Sequence, residues 1–455
     1  MIEKSEIDSK SKELGVHPSS VQRDYVFGWL LSGIAQATDL NKTLILKGGN
    51  AFRKAYFEHA RYSNDLDFST QSQIDLEQLK TSINNVCQYV GDKAGISFSL
   101  ADNKVQIKDL ANKNKIYEAR VYFKGFYGEE NYNLKVKMDI QEFDKIFLPI
   151  QSRNIIHSYS DQHECQGQIR CHQLEELLAS KLKALLQRRH SPDLYDFVHA
   201  IFIQKVLDID RPQVVSTFLK KTIYQPNPTV AKNLLLELPF QVIKGFWNQY
   251  IVCPTQSAIE FDNAEQHFKD AILNLFSAFT YGGDIISSNY FSAAHRNLIM
   301  DAGQSQTLLK IAYHNMTRFV EPYSLTYKIP GDGMGKEYFY AWDRTGGNSG
   351  KVGIKSFLQN EIQSLEATDE KFEPRYPVEV SRAGELGDKT YFSQSFRSSS
   401  GISRPRRPRS IFASPSYTYQ CTVCYKKLKS RNGTLRKHKD NFKNGCYGRY
   451  GTRVF

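Results

Sequence analysis

Cysteine and long apolar runs are both scarce in this chain. Seven cysteines among 455 residues are too few for a disulfide framework, so a small cross-linked secreted domain is excluded. No apolar run approaches the roughly 18 residues that a membrane-spanning helix needs, and the first residues are charged rather than apolar. We therefore expect a cytoplasmic protein with no membrane partner.

Net positive charge is absent from most of the chain. The formal net charge is +12, yet residues 381–455 alone hold 17 Lys and Arg against 3 Asp and Glu. The preceding 380 residues hold 43 basic and 45 acidic residues and are close to neutral. General electrostatic affinity for DNA or RNA is therefore expected of the C-terminal tail rather than of the whole protein.

The spacing of apolar residues predicts an α+β protein of several parts. Helix-like and strand-like periods alternate at first, and mostly helical spacing completes a first domain at 1–288. A second β-rich stretch, preceded by a helix, occupies 289–380. Ser, Arg and Pro then predict a basic flexible linker at 381–416, and a compact module closes the chain at 417–455.

A glycine pair and three aspartates stand in an arrangement typical of phosphate and metal binding. Gly48 and Gly49 lie between a short apolar strand and a helix, where backbone N–H groups can hold phosphate oxygens. Asp65 and Asp67 have the i, i+2 spacing that places two carboxylates on one face of a strand. Asp139 lies on a later strand that can pair beside them. Each fragment alone is common, but together they favour metal-assisted nucleotidyl transfer.

These residues resemble the signature of the AbiEii/AbiGii family of nucleotidyltransferase toxins. The resemblance is carried by Phe52-Arg53 and by the run 61–68 (RYSNDLDF). A second block of the family is matched at 174–185 (LEELLASKLKAL) and at 193–197 (DLYDF). Pro192 stands where the family usually has an arginine, and the preceding Arg188-Arg189 pair can take its place.

The resemblance implies a fold, an activity and a set of site residues. It implies a nucleotidyltransferase-fold mixed sheet with a helical C-terminal subdomain. The implied reaction transfers a nucleotide from an NTP to an RNA acceptor such as the 3′ end of tRNA. Magnesium would be held by Asp65, Asp67 and Asp139. The implied phosphate and catalytic contacts come from Gly48, Gly49, Arg53, Lys181, Arg188, Asp193 and Asp196. A toxin of this kind would have a cognate antitoxin and act in abortive infection, an anti-phage defence.

Two interpretations of the second block stay open. Lys181 and Arg188 are seven residues apart and therefore lie on nearly the same face of a helix, which suits a shared phosphate. Asp193 and Asp196 would either help to activate the nucleophile or fix the basic residues in place. A purely structural ladder of ion pairs would show the same pattern.

The β-rich stretch resembles the WYL domain, a small Sm-like β-barrel of bacterial regulators and defence proteins. Tyr338-Phe339-Tyr340 replaces the Trp-Tyr-Leu that names the domain. The resemblance implies a nucleotide or nucleic-acid ligand. Stacking faces and phosphate-pairing cations would come from Tyr313, Tyr340, Arg318 and Lys355. Equally, these aromatic rings would form the core of the barrel.

The cysteine-rich tail has the ligand spacing of a zinc site. Cys421 and Cys424 form a Cys-x-x-Cys pair, and His438 is predicted on a short helix at 434–439. Cys446 would replace the second histidine of a ββα zinc finger. So short a module folds poorly without metal, so we predict structural zinc and contacts of its Lys and Arg side chains with DNA or RNA phosphates.

Two further patterns are weaker. His163, Cys165, Cys171 and His172 offer another metal cluster, but we interpret them as ordinary packing or surface residues. The run 331–336 (GDGMGK) lacks the first glycine and the Ser/Thr of a phosphate-binding loop, so it predicts a hairpin turn. The alternative function is a nucleic-acid-binding regulator whose transferase domain is catalytically idle. Three intact carboxylates argue against it.

Overall fold

The computed structural model falls into two compact units, Met1–Arg397 and Ser398–Phe455, which are described separately. Among the helices of the described ranges, none has the length and apolarity needed to cross a membrane. The described residues are those of 2–453 other than 110–113, 128–132, 204–206, 280–287, 331–333, 348–349, 387–390, 393–416, 425, 431–433, 440–444 and 447–449.

A seven-stranded mixed sheet forms the centre of the first unit. Its order is β3-β4-β5-β2-β1-β7-β6. Strand β2 is antiparallel to β1 and parallel to β5, and this register places Asp67 beside both Lys47 and Asp139. Chain segments distant in sequence thus meet at one place on the sheet. The strands are β1 Ile45–Lys47, β2 Asp65–Thr70, β3 Lys104–Asp109, β4 Lys115–Lys124, β5 Asn133–Glu142, β6 Gln151–Asn154 and β7 Gln168–Cys171.

Helices surround this sheet and form the helical subdomain that the sequence predicts. The long helix α2 is buried along most of its length, which agrees with its apolar run YVFGWLLSGI. A single hydrophobic core joins the sheet to the helical subdomain. The helices are α1 Lys4–Leu14, α2 Pro18–Ala37, α3 Leu40–Thr43, α4 Gly48–Ala51, α5 Leu76–Ala94, α6 Leu174–Arg188, α7 Ser191–Val198, α8 Arg211–Lys220, α9 Pro228–Leu236, α10 Phe240–Lys244, α11 Trp247–Tyr250 and α12 Phe261–Leu275.

A second, five-stranded antiparallel sheet follows, with the order β11-β10-β9-β8-β12. Helix α13 (Ala293–Ser305) packs on one face with its own apolar core. Strands β11 and β12 are the two edges, and no pairing between them occurs in the described part of the chain. The closed barrel that the WYL resemblance implies is therefore not seen. The strands are β8 Thr307–Tyr313, β9 Met316–Lys328, β10 Lys336–Asp343, β11 Gly353–Phe357 and β12 Ile362–Lys371.

The segment after the second sheet differs from the sequence-based expectation. Composition assigns residues 381–386 to a flexible linker, but they belong to the first unit and pack against residues 222–224 within it. Ala383 is buried, and the Gly384 carbonyl accepts a hydrogen bond of 3.1 Å from the Ile223 N–H. The linker prediction fails here because composition does not reveal contacts with residues that are distant in the sequence. Most of the remaining linker, and residues 331–333 of the expected hairpin turn between β9 and β10, lie outside the described residues.

The second unit consists of short strands. A three-stranded sheet has the order β14-β13-β17, from β13 Tyr417–Cys421, β14 Lys427–Ser430 and β17 Gly451–Arg453. A two-stranded ladder pairs β15 (His438–Lys439) with β16 (Gly445–Cys446). The helix predicted at 434–439 is therefore wrong. Thr434 pairs with Tyr450 and His438 with Cys446, so these cross-strand pairs replace a helical backbone pattern.

Candidate functional site

The glycine turn after β1 brings backbone very close to an aspartate. Gly48 has φ of +72°, and a Cβ on it would lie 2.2 Å from Asp67 Oδ2. A Cβ on Gly49 would lie 2.8 Å from Arg61 Nη2. Only glycine fits both the conformation and the space at position 48. The turn opens directly into α4, whose first N–H groups have no carbonyl partner within the helix and suit phosphate oxygens.

Asp65, Asp67 and Asp139 converge as the sequence predicts, and we call them the carboxylate cluster. One oxygen from each lies within 4.8 Å of the others. Asp65 and Asp67 project from the same face of β2, and Asp139 is the register partner of Asp67 on β5. Ser63 Oγ donates a hydrogen bond of 3.2 Å to Asp65 Oδ1.

The chemistry of the carboxylate cluster fits a divalent cation. Asp139 Oδ1 is buried and accepts no hydrogen bond from any described residue, while Oδ2 lies 2.5 Å from Lys137 Nζ. Burial and the neighbouring carboxylate of Asp65 raise the pKa of Asp67 to about 6. Three oxygen donors that repel one another form the donor set that a hard cation such as magnesium prefers.

Two buried aspartates of α7 hold the cations of the second block. Lys181 Nζ lies 3.0 Å from Asp193 Oδ1 and 2.7 Å from Asp196 Oδ2. Arg188 binds Asp193 through two hydrogen bonds of 2.7 and 2.8 Å, and Arg61 Nε lies 2.7 Å from Asp196 Oδ1. Burial alone would raise the pKa of Asp193, but Lys181 and Arg188 hold it well below its usual range. The geometry favours the interpretation that these aspartates position cations.

Arg53 pairs with a different carboxylate from the one that binds Lys181 and Arg188. Its helix continues from α4 as a π-helical turn at Phe52–Tyr56, and Arg53 and Lys54 both reach the buried Asp24. The Arg53 guanidinium also donates to the carbonyls of Glu58 and Ala60 and covers the ring of Tyr62. Arg53 therefore stabilises the local fold, and its guanidinium is engaged by protein partners.

A cleft of about 480 Å³ opens beside Gly48 and Asp67. This volume lies in the range of small-molecule sites. Its cations outnumber its carboxylates, a charge balance that suits polyphosphates. The carboxylates are Asp67, Asp144, Asp193 and Glu385, and the cations are Lys47, Lys145, Lys181, Lys183, Arg188, Lys220 and Lys221.

Sequence reasoning missed a polar network on the cleft wall. Asp144 lies 2.7 Å from Lys47 Nζ and accepts a hydrogen bond from Ser69, whose hydroxyl also contacts His172 Nε2 at 3.1 Å. Burial and the Lys47 charge lower the pKa of His172 to about 3. Lys47 could have been found because it precedes Gly48, whereas Asp144 and His172 carry no local signal. In the part of the chain described here, His172 is not grouped with His163, Cys165 and Cys171 as a metal cluster.

Cys421, Cys424, His438 and Cys446, which we call the cysteine cluster, meet in the second unit. One ligand atom from each lies within 4.8 Å of the others. Cys424 Sγ lies 3.3 Å from His438 Nε2, and Cys421 Sγ lies 3.8 Å from Cys446 Sγ. Three sulfurs and one imidazole nitrogen are a donor set that zinc accepts in tetrahedral sites.

Comparison with known proteins identifies the domain that carries the cleft. Residues 29–250 match the sequence model of the family described as nucleotidyl transferase AbiEii toxin of a type IV toxin-antitoxin system. This stretch of the chain is similar to AbiEii-type nucleotidyltransferase domains. The match confirms the family resemblance for that part of the chain and supports transferase chemistry of the toxin class. It extends to neither the second sheet nor the cysteine cluster.

Two solved structures are similar to part of the chain at low identity. MenT4, a nucleotidyltransferase toxin of Mycobacterium tuberculosis H37Rv, is 16% identical, with 60% of this chain and 89% of that chain covered at a TM-score of 0.39. JHP933 from Helicobacter pylori is 14% identical, with 58% and 94% covered at a TM-score of 0.37. No curated protein sequence matches the chain.

Proposed function

We propose that the protein is a metal-dependent nucleotidyltransferase toxin that transfers a nucleotide from an NTP to an RNA acceptor such as the 3′ end of tRNA. The observation that carries this proposal is the meeting of the carboxylate cluster with the Gly48 turn at the edge of a cation-rich cleft. The same observation disfavours a catalytically idle domain, since an idle domain has no need for mutually repelling carboxylates beside a phosphate turn.

The proposed roles follow from the positions of the side chains. The N–H groups after Lys47 bind phosphate oxygens, and Asp65, Asp67 and Asp139 hold magnesium. Bound magnesium would supply charge neutralisation of the triphosphate. Asp139 Oδ1, which accepts no hydrogen bond from a described residue, orients the attacking hydroxyl or completes the metal site.

The cations of α6 complete the proposed phosphate site. Lys181 and Arg188 contact the triphosphate, and Asp193 and Asp196 fix their direction. The acceptor hydroxyl attacks the α-phosphorus and gives its proton to a carboxylate of the carboxylate cluster. A new P–O bond forms, the bond to pyrophosphate breaks, and pyrophosphate leaves. The cations stabilise the charge that develops on these phosphate oxygens.

The test is incubation of the full chain with total tRNA, magnesium and each labelled NTP in turn. We expect label on RNA with at least one NTP and none with Asp65→Ala. Asp92→Ala, which removes an exposed carboxylate of α5, is the matched control and should act as wild type. The same lack of transfer by wild type and Asp65→Ala across all nucleotides and RNA pools would refute the proposal.

We also propose that the cysteine cluster binds structural zinc and that its module contacts DNA or RNA. The donor set supports zinc, and exposed lysines such as Lys427 and Lys429 on β14 support phosphate contacts. Cys421→Ser should weaken binding of the full chain to a labelled duplex and to single-stranded RNA. Unchanged binding of both probes would refute the role of the module.

The second sheet is proposed to bind a nucleotide or nucleic acid in the manner of WYL domains. Tyr313 and Tyr340 are largely buried, and Arg318 is paired with Asp343 at 3.1 Å, so these residues serve the core. Trp342 is half-buried on β10 with the Arg375 guanidinium 5.1 Å from its ring centre, which supports a stacking site there. Arg375→Ala should weaken binding of an RNA oligonucleotide, and equal affinity of both proteins would refute this site.

In the cell, we propose a cytoplasmic toxin with a cognate antitoxin and a role in anti-phage defence. The family's description as a type IV toxin-antitoxin system supports the antitoxin partner. Induced expression of wild type should arrest growth, and Asp65→Ala should not. Arrest by both proteins alike would show that toxicity does not depend on the carboxylate cluster.

A further inference from the structure

One wall of the nucleotide cleft comes from outside the AbiEii match. The match ends at residue 250, yet Ser381, Glu385 and Leu386 line the same cleft as Gly48 and Asp67. The segment that follows the second sheet therefore reaches back to the transferase domain. Its residues face the same ligand space as the proposed phosphate and metal site.

A buried arginine fixes this segment to helix α6. Arg296 of α13 donates to the Ala383 carbonyl at 3.0 Å and to the Leu186 carbonyl of α6 at 3.2 Å. It also donates to Tyr224 Oη at 2.9 Å and pairs with the buried Glu337 at 3.1 Å. Because one charged group bonds both elements, the distance between the segment and α6 is closely defined.

Backbone contacts add a second attachment. The Ile223 N–H donates to the Gly384 carbonyl at 3.1 Å, and Thr222 forms a β-bridge with Glu385. Gly384 has φ of +79°, and a Cβ there would lie 3.1 Å from the ring of Tyr224. The neighbouring Glu385 is therefore placed by the fold, and its side chain reaches the cleft from a fixed backbone.

The charge of this wall differs from that of the proposed phosphate site. Lys183 Nζ lies 3.3 Å from Glu385 Oε1, so the carboxylate offsets this cation. Lys181, two residues earlier, points to another side of α6, because two residues turn a helix by about 200°. Glu385 and the apolar Leu386 thus give this wall a hydrogen-bond acceptor and an uncharged surface, whereas Lys181 and Arg188 give the phosphate site its cations.

We propose that Ser381, Glu385 and Leu386 form the subsite for the base and ribose of the NTP. A carboxylate repels phosphate, but it accepts hydrogen bonds from base N–H groups and from ribose hydroxyls. Leu386 offers an apolar surface to the ring. The inference rests on the proposed function and deepens it, because it assigns nucleotide selection to a segment outside the AbiEii match.

The first test locates the base by photolabelling the full chain with 8-azido-ATP and 8-azido-GTP in the presence of magnesium. We expect label on the tryptic peptide that begins at Ala383, and competition by excess unlabelled NTP. Specific label on other peptides alone would overturn the subsite but leave nucleotide binding intact. No specific label with either probe, combined with no transfer by wild type, would overturn both the subsite and the proposed function.

The second test separates recognition of the NTP from recognition of the acceptor. Glu385→Gln keeps the size of the side chain but removes its charge, and we expect the ratio of kcat/KM between the preferred NTP and its competitors to change about tenfold. The KM for tRNA should stay the same. Glu366→Gln is the matched control, because Glu366 is exposed on β12 and pairs with Lys310.

Two results of this second test would overturn the subsite. One is an unchanged order of NTP preference in a folded Glu385→Gln protein. The other is a changed KM for tRNA with unchanged NTP preference, which would assign the wall to the acceptor. If Glu385→Gln fails to fold, the photolabelling of wild type still decides.

Discussion

The carboxylate cluster and the cysteine cluster differ in what holds them together. The first stands on two neighbouring strands of a seven-stranded sheet backed by the large core of the first unit. The second is assembled from short strands and turns around the buried Cys421, Leu435 and Cys446. A rigid scaffold can hold mutually repelling groups before any ion arrives, whereas so small a core needs the ion for its own stability.

This difference implies opposite roles for the two proposed metals. At the carboxylate cluster the fold is made by other residues, so the ligands are free to serve chemistry at some expense in stability. At the cysteine cluster the ligands themselves supply the fold. Substitution in the carboxylate cluster should therefore lower activity without loss of stability. Substitution in the cysteine cluster should lower the stability of the second unit.

The largest expected effect is that of Asp67→Asn on transfer. Loss of one metal ligand should lower the rate by about 10³-fold, or roughly 4 kcal/mol of transition-state stabilisation. The free energy of unfolding at pH 8 with chelator should instead rise by about 1 kcal/mol. The folded pKa of about 6 lies above the unfolded value of about 3.9, so ionisation of Asp67 opposes folding above that pH.

Labelled-nucleotide transfer and urea unfolding measure the two quantities for Asp67→Asn, with Asp92→Asn as the matched control. A variant that retains a tenth of wild-type activity, or that loses stability, would contradict the view of a cluster held in place by its scaffold.

Removal of zinc should unfold the second unit and leave the first unit folded. Elemental analysis should find one zinc per chain, and Cys446→Ser should abolish it, because three ligands hold zinc less well than four. Limited proteolysis should then cut the second unit rapidly. Cys253→Ser, which changes a cysteine of the first unit, should leave both the zinc content and the resistance to proteolysis unchanged. Zinc-free protein with an intact second unit would remove the contrast between the clusters.

Asp193→Asn should destabilise the first unit by about 3 kcal/mol, because it leaves the buried Lys181 without one of its two carboxylate partners. Wild type should also lose stability below about pH 4. The folded pKa of Asp193 is depressed below the unfolded value, so its contribution is present above that pH and is lost on acidification.

Chemical unfolding as a function of pH measures both effects of Asp193. Arg188→Ala is the comparison, since Arg188 is half-exposed and should cost far less stability. Equal losses of unfolding free energy for Asp193→Asn and Arg188→Ala would show that burial of the Asp193–Lys181 pair does not determine the size of the effect.

The smallest expected effect concerns the basic face of the second unit. Replacing Lys427 and Lys429 by alanine should reduce the slope of log affinity against log salt by about 2 for duplex DNA. Lys310→Ala on the second sheet is the control. An unchanged slope, measured by fluorescence anisotropy, would place the phosphate contacts elsewhere in the chain.

Local pattern was sufficient where the site is local. The alternation of Asp65 and Asp67, the Gly48 turn and the ligand spacing around Cys421 all predict contacts that the structure contains. These features depend on short-range geometry that residue type and spacing determine directly.

Local pattern did not predict contacts between segments that are distant in the sequence. Arg53 has the position of a phosphate ligand in the family motif, but its partner Asp24 comes from another helix. Composition predicts a linker around Glu385, yet Arg296 holds this segment in place through a hydrogen bond to the Ala383 carbonyl. A helix is expected around His438, but His438 lies on a strand and pairs with Cys446. Tertiary partners outweighed local propensity in each case.

A Cβ on Gly48 would lie very close to the carboxylate of Asp67, and this limits which residues position 48 can accept. The phosphate turn and a metal ligand occupy adjoining space, so a methyl group at residue 48 would displace both. Gly48→Ala would thus remove two binding functions in one step. Residue 48 is therefore a position where a single substitution is expected to affect phosphate binding and metal binding together.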